Sequence, residues 1–520
     1  MSLTQLSASP REAPSQTIAK SSRWVLAGTI LSKPVQMVTV VMFARMLGPE
    51  RFGLVGLVTS TAITLYGIVN LGLAEATNKF VAEYYVGDTE KAARYCSTIV
   101  MIVTVLSLLL FAAMWLTRAH WSERIFLPDT PSSTIAFCLC LAWLNLVFAV
   151  LIGVISAIKL FREVTILNMF QIVMLAIAGG LLARASANGA LLAYILSFAF
   201  AAIVAIKFIW SFDSRLLYFR GTCSRSDLKS IFHFSSPIWL AALTLNPATT
   251  FTYFFLAAQY GGSHELGLFS TANGLRMIMV ILPGVIMVVI SPSLIERGGQ
   301  HGDSALYEEL LNKSFLAVVF LTLPLVIPLM LLSDIIFRIY GPEFHDSAKL
   351  FIPLVAAAAI AAVGTPLMAV LITKSKTWWS LAFGLAKSVV LIALTIWLVP
   401  QFLSMGLTWA VAISEIFFYV VALEFCIAIG AVPSSIRVMV YGSGAAIAFL
   451  LIVALFAPQM VRAILTIPLT FITAAFLVRV NPSLAEWLAD LAPVALRGYV
   501  RRLIWLSTAK GLGQRKESQI

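Results

Sequence analysis

Three cations stand where cations are expensive. Lys33, Arg276 and Lys387 lie inside long apolar stretches of a 520-residue chain. A charge at bilayer depth costs about 2.5 to 3.5 kcal/mol on insertion scales, so it faces either a water-filled cavity or a charged partner. No acid shares the first apolar stretch with Lys33, which favours the cavity. Arg276 has Glu415 at matching depth, and Lys387 has Glu424, so for these two a structural ion pair competes with a role in binding. Lys33 also precedes Pro34, which removes a backbone donor and can kink the helix. A buried Glu415 is in addition the carboxylate whose raised pKa would suit it to carry a proton.

These side chains must be held by membrane helices. The chain is 60% hydrophobic and only 12% charged, with a mean hydropathy of +0.94. That exceeds what a water-soluble core and surface could share. A helix needs about 20 apolar residues to cross about 30 Å of hydrocarbon. Fourteen stretches qualify: 24–45, 53–74, 96–117, 134–157, 164–183, 189–210, 233–257, 267–290, 314–333, 350–373, 379–399, 406–429, 436–457 and 462–478. The expected fold is an all-α polytopic membrane protein. The polar opening segment does not read as a signal peptide.

Most of the 36 lysines and arginines fall on the side that holds both termini, with Arg45, Arg51, Arg118, Arg124, Arg184, Arg338, Lys349 and Arg462 opposite. The positive-inside rule then makes both termini cytoplasmic. A net charge of +12 on such a chain suits anionic lipid headgroups and calls for no nucleic acid. The loops are too short for a catalytic domain. They carry neither a phosphate-binding Gly-x-x-x-x-Gly-Lys pattern nor a His and carboxylate cluster of metal-site spacing, so no cofactor or metal is expected. The five cysteines have no paired spacing and read as small apolar packers.

The chain repeats itself at an offset of 214 residues. The run from Ala44 to Leu54, which contains Gly48, Pro49 and Gly53, overlays the run from Ala258 to Leu268, and Arg124 to Pro128 overlays Arg338 to Pro342. Duplicated six-helix halves follow: 23–210 and 233–430, joined by a linker at 211–232. A cytoplasmic tail at 1–22, two extra spans at 431–480 and a basic amphipathic tail at 481–520 complete the plan. Parallel repeats of this kind occur in transporters, with the substrate between the halves.

The segment Phe43 to Gly53, followed by Asn70-Leu71-Gly72-Leu73 and Lys79 to Tyr84, resembles the start of the bacterial polysaccharide biosynthesis flippases. These are the O-antigen and exopolysaccharide repeat-unit translocases of the multidrug/oligosaccharidyl-lipid/polysaccharide (MOP) exporter superfamily. The resemblance implies two six-helix lobes in a V around a central cavity, with two C-terminal helices that in related lipid II flippases form a lipid-tail groove. It implies a polyprenyl-pyrophosphate-linked oligosaccharide as substrate, carried to the outer leaflet of the bacterial inner membrane, with a polysaccharide polymerase and other assembly proteins as partners. In related lipid II flippases a basic residue of the first helix matches Lys33, and Arg45 and Lys79 match basic positions of the family. An ionised pyrophosphate needs counter-charge to cross a low-dielectric layer. Cavity cations at Lys33, Arg276, Lys387, Arg45 and Lys79 would supply it, while Glu415 and Glu424 are the coupling or ion-pair acids. Arg45 and Lys79 sit at span ends, where anchoring at the interface is the plainer role. A drug or organic-cation antiporter of the same superfamily is the alternative, and a membrane enzyme fits least.

Overall fold

The computed structural model describes residues 14–85, 87–117, 133–184, 186–216, 224–281, 304–374 and 376–480, with scattered positions between 282 and 303. The basic tail at 481–520 and the whole segment from 118 to 132 lie outside the described residues. Lipid offers backbone groups no hydrogen bonds, so membrane-crossing segments satisfy them internally as helices. The described elements are all helical: α1 (Pro14–Asn70), α2 (Leu73–Tyr85), α3 (Thr89–Leu116), α4 (Ser133–Ala157), α5 (Phe161–Leu182), α6 (Ala187–Asp213), α7 (Arg225–Ala257) and α8 (Gly262–Arg276). They continue with α9 (Ser304–Leu331), α10 (Ser333–Arg338), α11 (Ser347–Thr373), α12 (Thr377–Ala428), α13 (Ser434–Phe456) and α14 (Gln459–Val480).

Ten described helices are long and apolar enough to cross a membrane. Two of them, α1 and α12, are broken in the middle and each supply two spans, which brings the architecture into line with a fourteen-span plan. The break in α1 is at Gly48, whose φ of 70° suits glycine, and Pro49 then opens the second arm with its φ already set. Helical dihedrals continue through Pro34, so the expected break there is displaced to Gly48. In α12 the break is at Leu403 (φ 50°). Successive spans alternate in direction. The facing ends of α2 and α3, α4 and α5, α6 and α7, α11 and α12, and α12 and α13 therefore share one end of the bundle, here the basic face, and the breaks at Gly48 and Leu403 share the far face.

The two halves meet at glycines that the 214-residue offset relates. A methyl group on Gly53 would stand 2.2 Å from the Ser263 carbonyl, and one on Gly267 would stand 1.9 Å from the Pro49 carbonyl. Gly53 and Gly267 are repeat mates, and so are Pro49 and Ser263, so this is one contact made twice. Gly56 likewise abuts its own mate, Ser270. Reciprocal contacts of this kind mark a two-fold axis, here an approximate one within a single chain. Glycines recur at these places because the α1 and α8 backbones touch there.

The core of the C-terminal half is α11, buried along nearly its whole length and walled by α9 and α12. Helix α13 lies against α9 and α11, α14 lies against α9, and few residues of α14 are fully buried. An ion pair between Asp334 of α10 and Arg462 of α14 fastens α14 at the far face.

Candidate functional site

Two seams join the halves, and the repeat makes them equivalent. In one, the second arm of α1 packs on α7. Thr64 and Thr250 share a hydrogen bond of 2.6 Å, Ser60 and Thr250 share one of 3.0 Å, and the Trp239 indole donates to the Ile68 carbonyl at 3.0 Å. Gly72, at φ 70°, meets the Ser235 backbone so closely that a methyl group would lie 2.6 Å from its carbonyl. This seam is zipped shut toward the basic face.

In the other seam, the first arm of α1 faces α8. Thr250 is replaced by its mate Gln36, Ser60 by Gly274 and Thr64 by Ile278, so the interlocking hydroxyls are gone. A cavity of about 240 Å³ opens between Lys33, Gln36 and Val40 on one wall and Gly274, Ile278 and Ile281 on the other. The half-buried Lys33 ammonium donates to the Gln36 side chain at 3.1 Å and pairs with no described carboxylate. Positive charge therefore faces an interlobe space with spare hydrogen-bonding capacity. That is what an anionic group needs, and what a cationic ligand would be repelled by.

The other expected site residues go elsewhere. Arg276 does not line this cavity: it is two residues from both Gly274 and Ile278, about 200° around the helix from each, so it turns into the C-terminal half. There its guanidinium donates to Asn273 at 2.5 Å, Asn273 donates to the Tyr253 hydroxyl at 3.0 Å, and Tyr419 is within electrostatic reach. Glu415 does not neutralise it. Glu415 pairs instead with Lys387, which also lies 5.4 Å from the centre of the Phe418 ring. The expected Lys387–Glu424 pair is thus corrected. Glu415 and Glu424 are nine residues apart, about 900°, and so occupy opposite faces of α12. Glu424 turns to α13 and binds Arg437 at 2.9 Å and Tyr441 at 2.8 Å.

Arg45 is exposed at the far face. Lys79 lies at the basic face, 4.2 Å from the Phe234 ring centre and 5.2 Å from that of Phe80, and so bridges α2 to α7 as a cation on aromatic faces. Beside it, Tyr95 of α3 donates to Asp227 of α7 at 2.8 Å. Asp227 also closes the α7 capping box with Ser224, and these bonds hold its carboxyl below the usual aspartate range. Sequence reasoning passed over this latch and the Ser60/Thr64/Thr250 zipper. The short polar residues of α1 and α7 were their only signal.

The comparisons give the chain a family and a fold. A model of the polysaccharide biosynthesis protein family matches residues 18–297. The chain belongs to that family. Its fold is that of the MOP superfamily. An inward-closed structure of the lipid II flippase MurJ aligns with a TM-score of 0.66 at 13% identity, covering 87% of this chain and 98% of that one. An inward-facing multidrug resistance MATE transporter aligns at 0.60 and 15% identity, covering 79% and 94%. A MOP-superfamily transporter from Pyrococcus furiosus, described as having a binding pocket of reverse polarity, aligns at 0.52 and 16% identity, covering 82% and 95%. No curated protein matches the chain by sequence. The solved structures that share this multi-pass helical fold are a flippase and transporters.

Proposed function

We propose that this chain is a flippase of the bacterial inner membrane, not an enzyme. It moves a polyprenyl-pyrophosphate-linked oligosaccharide repeat unit from the inner to the outer leaflet by alternating access, with both termini cytoplasmic, and hands it to a polymerase and other assembly proteins. The observation that carries the reading is the Lys33 ammonium in the interlobe cavity, bound to Gln36 and to no described carboxylate. A pyrophosphate entering the open seam finds a compact cation there; Arg276, also without a described carboxylate partner, is turned away from this cavity and meets the anion only when the halves rearrange during transport. The antiporter reading needs a carboxylate free to face a cationic ligand; Glu415 is taken by Lys387 and Glu424 by Arg437, which leaves it Glu75, at a span end and 3.4 Å from the Asn70 amide.

The test is complementation of a strain lacking this protein. Lys33→Ala with Arg276→Ala is expected to abolish surface polymer, while Lys33→Arg retains part of it. Normal polymer export by the double variant would contradict the proposal.

A further inference from the structure

Helix α3 stands away from α4, and the gap between them is hollow. On the basic-face half, α3, α4 and α6 enclose a cavity of about 470 Å³ lined by Ser97, Met101 and Thr104 of α3, Val150 of α4, and Ile206 and Trp210 of α6. The lining is apolar except for short hydroxyls that mostly bond their own helix, as Ser97 does to the Arg94 carbonyl and Thr104 to the Val100 carbonyl. Cys96 to Thr104 covers about 12 Å of helix rise. One leaflet of hydrocarbon is about 15 Å deep. The hollow therefore occupies a single leaflet and is remote from the interlobe seam.

Its mouth is charged. Arg94, Ser97, Met101 and Thr104 fall on one stripe of α3, so the exposed Arg94 stands one turn above the lining. The exposed Lys207 stands one turn from Trp210 on α6. The turn Ser214–Leu216 packs on α3 and adds Arg215, whose charge is already met by Asp213 at 3.0 Å. Lys91 is turned away onto the Tyr84 ring at 4.0 Å. Arg94 and Lys207 are left to face an anion, and the half-exposed Trp210 stands one turn nearer the basic face than Lys207. Aromatic side chains at that level mark the headgroup boundary.

We infer that this pocket is a specific site for an anionic phospholipid of the basic-face leaflet, with one acyl chain in the α3/α4/α6 hollow and the phosphate between Arg94 and Lys207. The inference is independent of the flippase reading, since none of these residues touches the Lys33 cavity. An acyl chain there adds to the packing of α3 on α4, where Ile99 and Val103 of α3 already meet Leu146 and Val150 of α4.

The test is native mass spectrometry of the full chain in detergent, titrated with phosphatidylglycerol or phosphatidylcholine. Wild type is expected to retain one phosphatidylglycerol with about tenfold preference. Arg94→Gln with Lys207→Gln removes the preference. Val100→Trp, at a lining position that is 42% exposed, blocks the hollow and removes retention with both cations intact. Should the double variant unfold, Val100→Trp alone decides. Equal retention of both lipids by wild type, or unchanged phosphatidylglycerol binding in Val100→Trp, would overturn the site. Displacement of the lipid by millimolar glycerophosphate would do so as well, because it would mean that the headgroup alone is bound.

Discussion

At the scale of residues, the membrane-embedded cations divide: Lys33 and Arg276 meet no described carboxylate, and Lys387 is spent on Glu415. Lys33 keeps its donors for a ligand, whereas Lys387 and Glu415, each 14% exposed, neutralise one another. Removing one member of such a pair strands the other and costs about 3 to 5 kcal/mol. Glu415→Gln is therefore expected to lower the melting temperature in detergent, and Glu415→Gln with Lys387→Met to restore most of it. If the double variant recovers stability and still fails to transport, Glu415 has the coupling role that its depth suggested; recovery of both leaves it a structural partner. How deep these residues lie was legible in the sequence, because apolar run lengths fix position along a helix. How they turn around the helix axis was not, and this separated Arg276 from the Lys33 cavity and exchanged Glu424 for Glu415.

At the scale of elements, α7 is held to the N-terminal half at both ends of its basic-face portion. The Tyr95–Asp227 bond and the Lys79–Phe234 contact fix its first turns, and the Thr64–Thr250 bond fixes its middle. Asp227 has a folded-state pKa below its ordinary value of 3.8, so the stability it contributes is complete above that value and is lost as pH falls through the folded-state pKa. Asp227→Asn should therefore melt earlier than wild type at pH 7, and the gap should close as the pH is taken below about 3.8 in thermal melts. An alternating-access protein must also open this seam. The hydroxyls of Thr64 and Thr250 are 2.6 Å apart, a spacing that a disulfide can span with small adjustment. Thr64→Cys with Thr250→Cys should cross-link on oxidation and stop transport, and reduction should restore it. Cross-linking with full activity would show that the zipper never parts.

At the scale of the whole molecule, the fold follows from a duplication that the sequence displayed in its glycines. Gly53 and Gly267 are small because the halves touch there about an approximate two-fold axis. The repeat was thus legible at the turns and at the axis, where backbone geometry restricts residue choice. It was illegible in the helix faces, where any apolar side chain meets lipid equally well. The same repeat makes the asymmetry of the two seams informative. Hydroxyls close one, while in the other a lysine and a glutamine line a cavity of about 240 Å³. A cation-lined opening between two related halves is the centre of the account, and it calls for an anion to cross there.

The most direct measurement is the initial rate of translocation in vesicles that contain only the purified chain and a pyrophosphate-linked glycolipid, for wild type, Lys33→Arg and Lys33→Ala. The account predicts a loss of at least about tenfold for Lys33→Ala, equivalent to about 1.4 kcal/mol, with partial retention in Lys33→Arg. An unchanged rate in Lys33→Ala would contradict it.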